Sequence, residues 1–340
     1  MKSLLLTVAC FAISSTACTT VGSVLIPFDP NRHGDAVSEW APHDDVVEWW
    51  YVTGQLTDEE ANLYLYQLTV FHSSRAPLEG WILDLAVSDY TTGLRIFEEY
   101  TRPFWSRDVR ADGHSVSFAA SSVAITAAER GTAMAMEVKG SGRNLSFDLS
   151  LTTEKPAVWH DLDGIFPMGR EDDPKERSFY YSYTNMETAG MLTYTKGGEE
   201  RQLRVTGLSW FDRQWGAFTE TGWDWFSLRF FDGEEIMLFG FPETGFTGAT
   251  YIRSNGNTEY FRGFTYQTAG WQQYRGKTFG LGWELDLPVK EGRYHVVPLY
   301  DRDFNPNVIH HYWEGLCAIY TYDYQLVGYC VTETTADAYN

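Results

Sequence analysis

In this 340-residue sequence, tryptophan and tyrosine interleave with carboxylates in a few short segments. They are Glu48-Trp49-Trp50-Tyr51-Val52-Thr53-Gly54, Tyr180-Tyr181-Ser182, Gly207-Leu208-Ser209-Trp210-Phe211-Asp212-Arg213-Gln214-Trp215-Gly216, Gly222-Trp223-Asp224-Trp225-Phe226, Tyr312-Trp313-Glu314-Gly315 and Gly328-Tyr329. A lone aromatic of this kind ordinarily fills a core. A carboxylate among aromatics is different, because loss of water disfavours its charged form and raises its pKa toward the range of a general acid. The other reading of such an acid is a structural ion pair, Asp212 with Arg213 or Arg229. On a regular strand Trp210 and Asp212 share one face and Phe211 takes the other. Asp224 is out of phase with Trp223 and Trp225, so at least one of those groups faces away from any shared pocket. Asp212 is therefore the leading candidate acid.

Other chemistries lack their residues. The nearest approach to a serine-hydrolase elbow, Gly207-Leu208-Ser209-Trp210-Phe211, has no second glycine. Gly276-Lys277-Thr278 ends a segment with one residue too many between its glycines for a phosphate loop, and no helical pattern follows it. His310 and His311 are adjacent, so on a strand they point to opposite faces and cannot both ligate one metal. No dinucleotide fingerprint occurs, and neither a metal nor a cofactor is implied.

The elements that must position these groups are strands. Leu145 to Thr152 alternates apolar and polar residues throughout. Leu63–Phe71, Val116–Phe118, Met134–Val138, Leu203–Leu208, Trp223–Phe230 and Ile236–Phe241 are further strand candidates, and sustained 3.6-residue periodicity is absent. Turn signals separate them at Asp112-Gly113, Gly197-Gly198, Asp232-Gly233 and Asn255-Gly256. The stretch from Lys155 to Lys175, rich in proline, glycine and charge, reads as a loop or lid. With 13 Trp, 21 Tyr, 21 Phe and 30 Gly, the composition favours a twisted, strand-rich fold. That many short strands exceed one small barrel, so two barrels or a large sandwich share the chain. A net charge of -20 repels phosphate backbones and anionic head groups, which argues against a nucleic-acid partner.

Lys2 followed by the ten apolar residues Leu4 to Ile13 reads as a secretory signal ending at residue 17, too short to span a bilayer. Ser15-Thr16-Ala17-Cys18 resembles a bacterial lipoprotein processing site, with Cys18 lipidated; Ser15 and Ala17 also fit ordinary signal cleavage at the same bond. Either reading exports the protein, and any membrane association is through a lipid anchor. In a Gram-negative source, Thr19 directs a lipoprotein to the outer membrane facing the periplasm. Of the remaining cysteines, Cys317 and Cys330 fall opposite one another if a two-residue loop at Asp323-Tyr324 closes the last hairpin. A cross-strand disulfide and two separate buried thiols are both compatible with that register.

In their order, the aromatic and acidic segments resemble the AttH-like proteins and carotenoid 1,2-hydratases (hydroxyneurosporene synthases) over about residues 40 to 333. The resemblance implies an all-β fold of two consecutive lipocalin-like antiparallel barrels, here read as residues 29–216 and 217–335, with a ligand pocket near their junction. It also implies work on hydrophobic, often isoprenoid molecules, by hydration or cyclisation and without a cofactor. Hydrating an alkene requires an acid that protonates carbon, faces that tolerate the tertiary cation, and a positioned water. Aromatic faces stabilise a cation by roughly 0.5 to 2 kcal/mol each. Asp212 is then the proton donor, and Glu48, Asp224 and Glu314 are candidates to orient it or a water. Trp49, Trp50, Tyr180, Tyr181, Trp210, Trp215, Trp223, Trp225 and Trp313 are candidate walls. The sequence departs from the family at Asn185, where a basic residue is common, at Gln55, where a histidine often stands, and at Val331, where an acid is usual.

Two functions remain open on these residues. One is an enzyme that uses Asp212 on an alkene of a lipophilic substrate, for hydration, cyclisation or isomerisation. The other is a non-catalytic lipoprotein that holds a hydrophobic ligand for an ABC-type envelope exporter, with the same aromatics lining its pocket. An acid pointing into an aromatic-lined cavity favours the first; Asp212 tied to an arginine beside an open apolar groove favours the second.

Overall fold

Two long strands, Arg177–Lys196 and Glu199–Gly216, form a hairpin that runs through the first half of the protein. Gly197 and Gly198 close it, both with positive φ, as a two-residue loop whose twist matches its strands requires. The computed structural model describes residues 26–339 apart from 28–35, 37, 44–46, 75–78, 120–121, 131–132, 162–163, 174–175, 217–221, 291, 309–310 and 336–337. Cys18, the signal segment and His310 lie outside the described residues.

The protein is nearly all β, in two antiparallel, barrel-like sheets of lipocalin type. In the first, Val47–Asp58 pairs with Glu199–Gly216 on one side and Leu63–Ser73 on the other, and Gly80–Asp89 and Leu94–Pro103 follow. On the other side of the long hairpin come Leu145–Thr153, Ala133–Ser141 and Val123–Arg130. The second sheet runs from Asp224–Phe230 to Leu326–Thr335, and the short Ile26–Pro27 strand pairs onto its Thr258–Arg262 edge. Period-two alternation gives each sheet its own core. Trp50, Val52, Tyr181, Tyr183, Phe211 and Trp215 pack inside the first. Phe226, Leu228, Trp283, Trp313 and Cys317 pack inside the second.

The opposite faces of the same strands meet in a third core between the sheets, built from Tyr51, Tyr180, Trp210, Trp225, Phe239, Leu316 and Val331. Polar contacts also cross this junction. Ser88 and Tyr90 donate to Asp303 at 2.6 and 2.7 Å, and Arg95 donates to Asn305 at 2.5 Å.

One expectation from sequence is corrected, and one open alternative is answered. The Lys155–Lys175 stretch is not a lid: Val158–Trp159 and Ile165–Pro167 pair with the long Arg177–Lys196 strand, and Val158, Phe166 and Met168 are buried in the junction core. Apolar residues spaced among its prolines and glycines pin it down. Cys317 and Cys330 do stand directly opposite each other, but both are buried free thiols. The hairpin that joins their strands turns through a longer loop than Asp323-Tyr324, with a register shift at Tyr320 and Tyr324 at positive φ.

Candidate active site

Two rows of directly paired residues face each other across the junction. In the first sheet Asp84, Thr69, Tyr51 and Asp212 are cross-strand partners in succession, and Ser182 continues the row. In the second sheet the row is Phe239, Trp225, Glu333 and Glu314. Between them lies a cleft that is partly open to solvent. Trp49, Phe71, Trp223, Trp225 and Phe239 give it aromatic walls, and Asp84, Asp212 and Glu333 place carboxyls on it.

Asp212 is fully buried in hydrogen bonds rather than in an ion pair. Tyr180 Oη donates to its Oδ2 at 2.8 Å; Trp210 Nε1, at 2.6 Å, and Ser182 Oγ donate to its Oδ1. Burial raises its pKa, the donations from Ser182, Trp210 and Tyr180 lower it, and the balance stands at about 7. Each donor is itself held. Trp225 Nε1 donates to Tyr180 Oη at 3.1 Å, and His160 bonds Ser182 at 2.7 Å through Nε2 and Thr250 at 2.9 Å through Nδ1. Burial drives the His160 pKa well below its ordinary value, which keeps the imidazole neutral. Asp212, Tyr180 and Trp225 thereby bring acid, hydroxyl and aromatic wall into one fixed unit drawn from both sheets.

Glu314 lies beneath the cleft floor. Its Oε1 accepts from Tyr51 Oη at 2.8 Å and Thr53 Oγ1 at 3.2 Å, and its Oε2 is buried without a hydrogen bond. Burial outweighs these bonds and the charge of Arg95, and its pKa rises to about 7.

Strand alternation sends several predicted residues elsewhere. Glu48 faces the first barrel's interior with Trp50, in an ion pair with Arg213 at 2.5 Å and hydrogen bonds to His43 and His72 at 3.1 and 2.7 Å. Burial alone would raise its pKa, but these partners outweigh that and hold it well below the usual carboxylate range. The Arg213 guanidinium lies 4.0 Å over the Trp50 ring and 5.1 Å over that of Trp215, so both tryptophans belong to this structural cluster and not to the cleft. Tyr181, donating to the Ala36 carbonyl at 3.0 Å, is interior too. In the second barrel Asp224 and Trp313 point inward, Asp224 accepting a bond from Tyr339 and Trp313 packing against Trp283 at 6.2 Å. Neither arginine considered for Asp212 pairs with it: Arg213 holds Glu48, and Arg229 donates to the Leu208 carbonyl at 2.7 Å.

Sequence reasoning missed Asp84 and Glu333. Glu333 is two residues beyond Val331, on the same strand face, and so supplies the cleft with a half-buried acid that Val331 lacks. Trp223 Nε1 donates to it at 2.8 Å, while burial and the neighbouring Glu314 lift its pKa to about 8. Asp84 stands alone in the apolar run Trp81-Ile82-Leu83-Asp84-Leu85-Ala86-Val87, on a strand buried along its whole length. An acid there is the one signal that could have found it. Asn185 bonds Glu235 at 2.9 Å, and Lys155, 2.7 Å from the same carboxylate, provides a basic group from another strand connection.

The two motif glycines that accompany the aromatics have steric roles. A Cβ on Gly54 would sit 2.6 Å from the Tyr66 ring, and one on Gly315 would sit 2.4 Å from the Trp313 ring.

Comparison with known proteins places this geometry in a wider set. A kievitone hydratase of Fusarium solani subsp. phaseoli is 25% identical over 123 residues, 36% of this chain and 31% of that protein, so the match spans about a third of the relative's length. The crystal structure of an AttH from Nitrosomonas europaea superimposes with a TM-score of 0.78 at 22% identity, covering 92% of this chain and all of that one. The crystal structure of kievitone hydratase from Nectria haematococca gives 0.72 at 17% identity, over 93% and 96% of the two chains. The family description AttH-like matches residues 28–331, almost the whole of the described chain. The chain belongs to the AttH-like family.

Proposed function

We propose that the protein adds water across an alkene of a lipophilic, isoprenoid-like small molecule, with Asp212 as proton donor. The observation that carries this reading is the state of Asp212: a buried acid on an aromatic-lined cleft, held by three neutral donors and no cation, with a pKa raised to about 7. An arginine beside it would have kept it ionised and left carriage the better reading. The kievitone hydratase relatives lend the same chemistry support.

In the proposed reaction the Asp212 proton passes to one alkene carbon and leaves a tertiary cation on its neighbour. Trp49, Trp223, Trp225 and Phe239 present ring faces that stabilise it and carry no strongly basic atom to quench it. Water adds to the cation through oxygen, and the proton it sheds returns to the Asp212 carboxylate, so the acid is regenerated and no cofactor is consumed. Tyr180, Ser182 and Trp210 hold the carboxyl in place through the cycle.

The test begins with organic extraction and mass spectrometry of the purified protein, followed by incubation of the extracted class with H2-18O. A product one labelled water heavier is expected. Asp212→Asn keeps volume and most hydrogen bonds but has no proton to give, and it should abolish turnover while affinity is nearly unchanged. Full turnover by that variant would sink the assignment. We further propose that the protein is exported and anchored by lipid on Cys18, as the signal-like segment supports. Cys18→Ser should then release it from the membrane fraction, and unchanged partitioning would refute the anchor.

A further inference from the structure

The end of the cleft opposite Asp212 is polar. Asp84 Oδ2 accepts from Asn307 Nδ2 at 2.5 Å and from Tyr312 Oη at 3.3 Å. Tyr312 Oη in turn accepts from Gln67 Nε2 at 2.8 Å, and Gln67 Oε1 accepts from Asn305 Nδ2 at 2.9 Å. Every member of this chain is oriented by the next, and the two sheets supply it together. Asp84 Oδ1 has no hydrogen-bond partner, although the side chain is 96% buried on the cleft wall (4% exposed).

That asymmetry fixes what Asp84 can do. Its cross-strand neighbour is Glu99, and Glu314 lies near, so burial together with these charges pushes its pKa up to about 8. At neutral pH it is a carboxylic acid. Oδ2 already receives two donors, so the proton belongs on Oδ1. A buried O–H with no acceptor is costly, and a ligand that supplies an acceptor removes the cost.

We propose that Asp84 and its Asn307–Tyr312–Gln67 network form a subsite for an acceptor oxygen of the ligand, so that the substrate class is an oxygenated amphiphile rather than a hydrocarbon. The proposal relies on the hydratase reading only for the position of the alkene, at Asp212. Asp84 and Asp212 are three strands apart in one row, about 14 Å along the sheet at strand spacing. The ligand's oxygen and its alkene are therefore separated by a distance on the order of 10 Å.

The test compares two probes by quenching of cleft tryptophan fluorescence: a para-prenylated acetophenone, and the same skeleton with its carbonyl replaced by CH2. The wild-type protein should bind the ketone at least tenfold more tightly. Asp84→Asn keeps an N–H aimed at the carbonyl and should retain the preference, whereas Asp84→Ala should lose it, with near-UV circular dichroism confirming that both variants fold. Equal affinities in the wild type, or no binding of either probe, overturn the subsite, as does a preference that survives in Asp84→Ala. The hydratase reading fails separately. If Asp212→Asn still adds water at the wild-type rate, that reading falls while the ketone preference stands.

Discussion

Glu314 and Glu333 are direct cross-strand partners, Glu314 buried and Glu333 half-buried on the cleft, at the place where the two sheets meet. Two carboxylates so placed cannot both ionise cheaply in a dry environment, so one is held neutral by the other and by burial. Trp223 Nε1 bonds Glu333 directly, which makes that indole a reporter of its charge. Indole fluorescence should titrate near pH 8 in the wild type, and Glu314→Gln should move the midpoint down toward the ordinary carboxylate range. A midpoint that stays in place would show that burial alone sets it.

Asp212 donates a proton only in its neutral form, so turnover should fall as pH rises through about 7. Tyr180 favours the ionised form by donating to Oδ2. Tyr180→Phe removes that stabilisation and should shift the alkaline limb of the pH–rate profile to higher pH, whatever it does to the maximal rate. A shift in the opposite direction would contradict the donor role.

Stability should depend on pH in a defined sense. Asp84, Asp212, Asp224, Glu314 and Glu333 all have folded pKa values raised to about 6 to 8, so between pH 4 and 8 the folded state binds more protons than the unfolded one. Their contribution is complete below the unfolded pKa values and is lost as pH rises through the folded ones. Glu48 acts in reverse, since its folded pKa is depressed: its contribution is present above the unfolded value and is lost on acidification below about pH 4. Buried neutral His160 opposes the five acids below its unfolded pKa, as one group against five. Thermal unfolding should give a higher Tm at pH 5.5 than at pH 8, with a decline again toward pH 3. A Tm that climbs steadily to pH 8 would refute the neutral state of the cleft acids.

Glu48 is a stabilising partner and not part of the cleft. Glu48→Gln leaves the fully buried Arg213 without its counter-charge, and should cost about 3 to 5 kcal/mol in denaturant unfolding. The ketone probe should still bind the folded variant as it binds the wild type. Loss of probe affinity at unchanged stability would return Glu48 to the site.

The strands and their turns were legible in the sequence because alternation and the Gly197-Gly198 type of signal are local. So was the pairing of Trp210 with Asp212, two residues apart on one face. Alternation also separates Trp49 and Tyr51 from Glu48 and Trp50, yet nothing local says which face meets the other sheet. Six of the thirteen residues first read as acids or walls, Glu48, Trp50, Tyr181, Trp215, Asp224 and Trp313, accordingly turn into barrel interiors. Glu333 escaped notice because Thr332-Glu333-Thr334-Thr335 looks like a polar end, while the pairing of this strand with Asp224–Phe230 and His311–Thr321 turns it toward the cleft between the sheets. Asp84 acquires its meaning only from Asn307 and Tyr312, more than two hundred positions away.

The row from Asp84 through Thr69 and Tyr51 to Asp212 behaves as a ruler graduated in strand spacings, each division about 4.8 Å. On the proposed reading, a molecule is gauged along it by which rung meets its oxygen when its alkene rests at the acid. Thr69 is the small intermediate mark, its hydroxyl already held by Gln67, and a longer acid or amide on that rung would select a molecule one division shorter. If the proposed subsite holds, exchanging single residues on this fixed ladder resets length selectivity, while the barrels that support it stay unchanged.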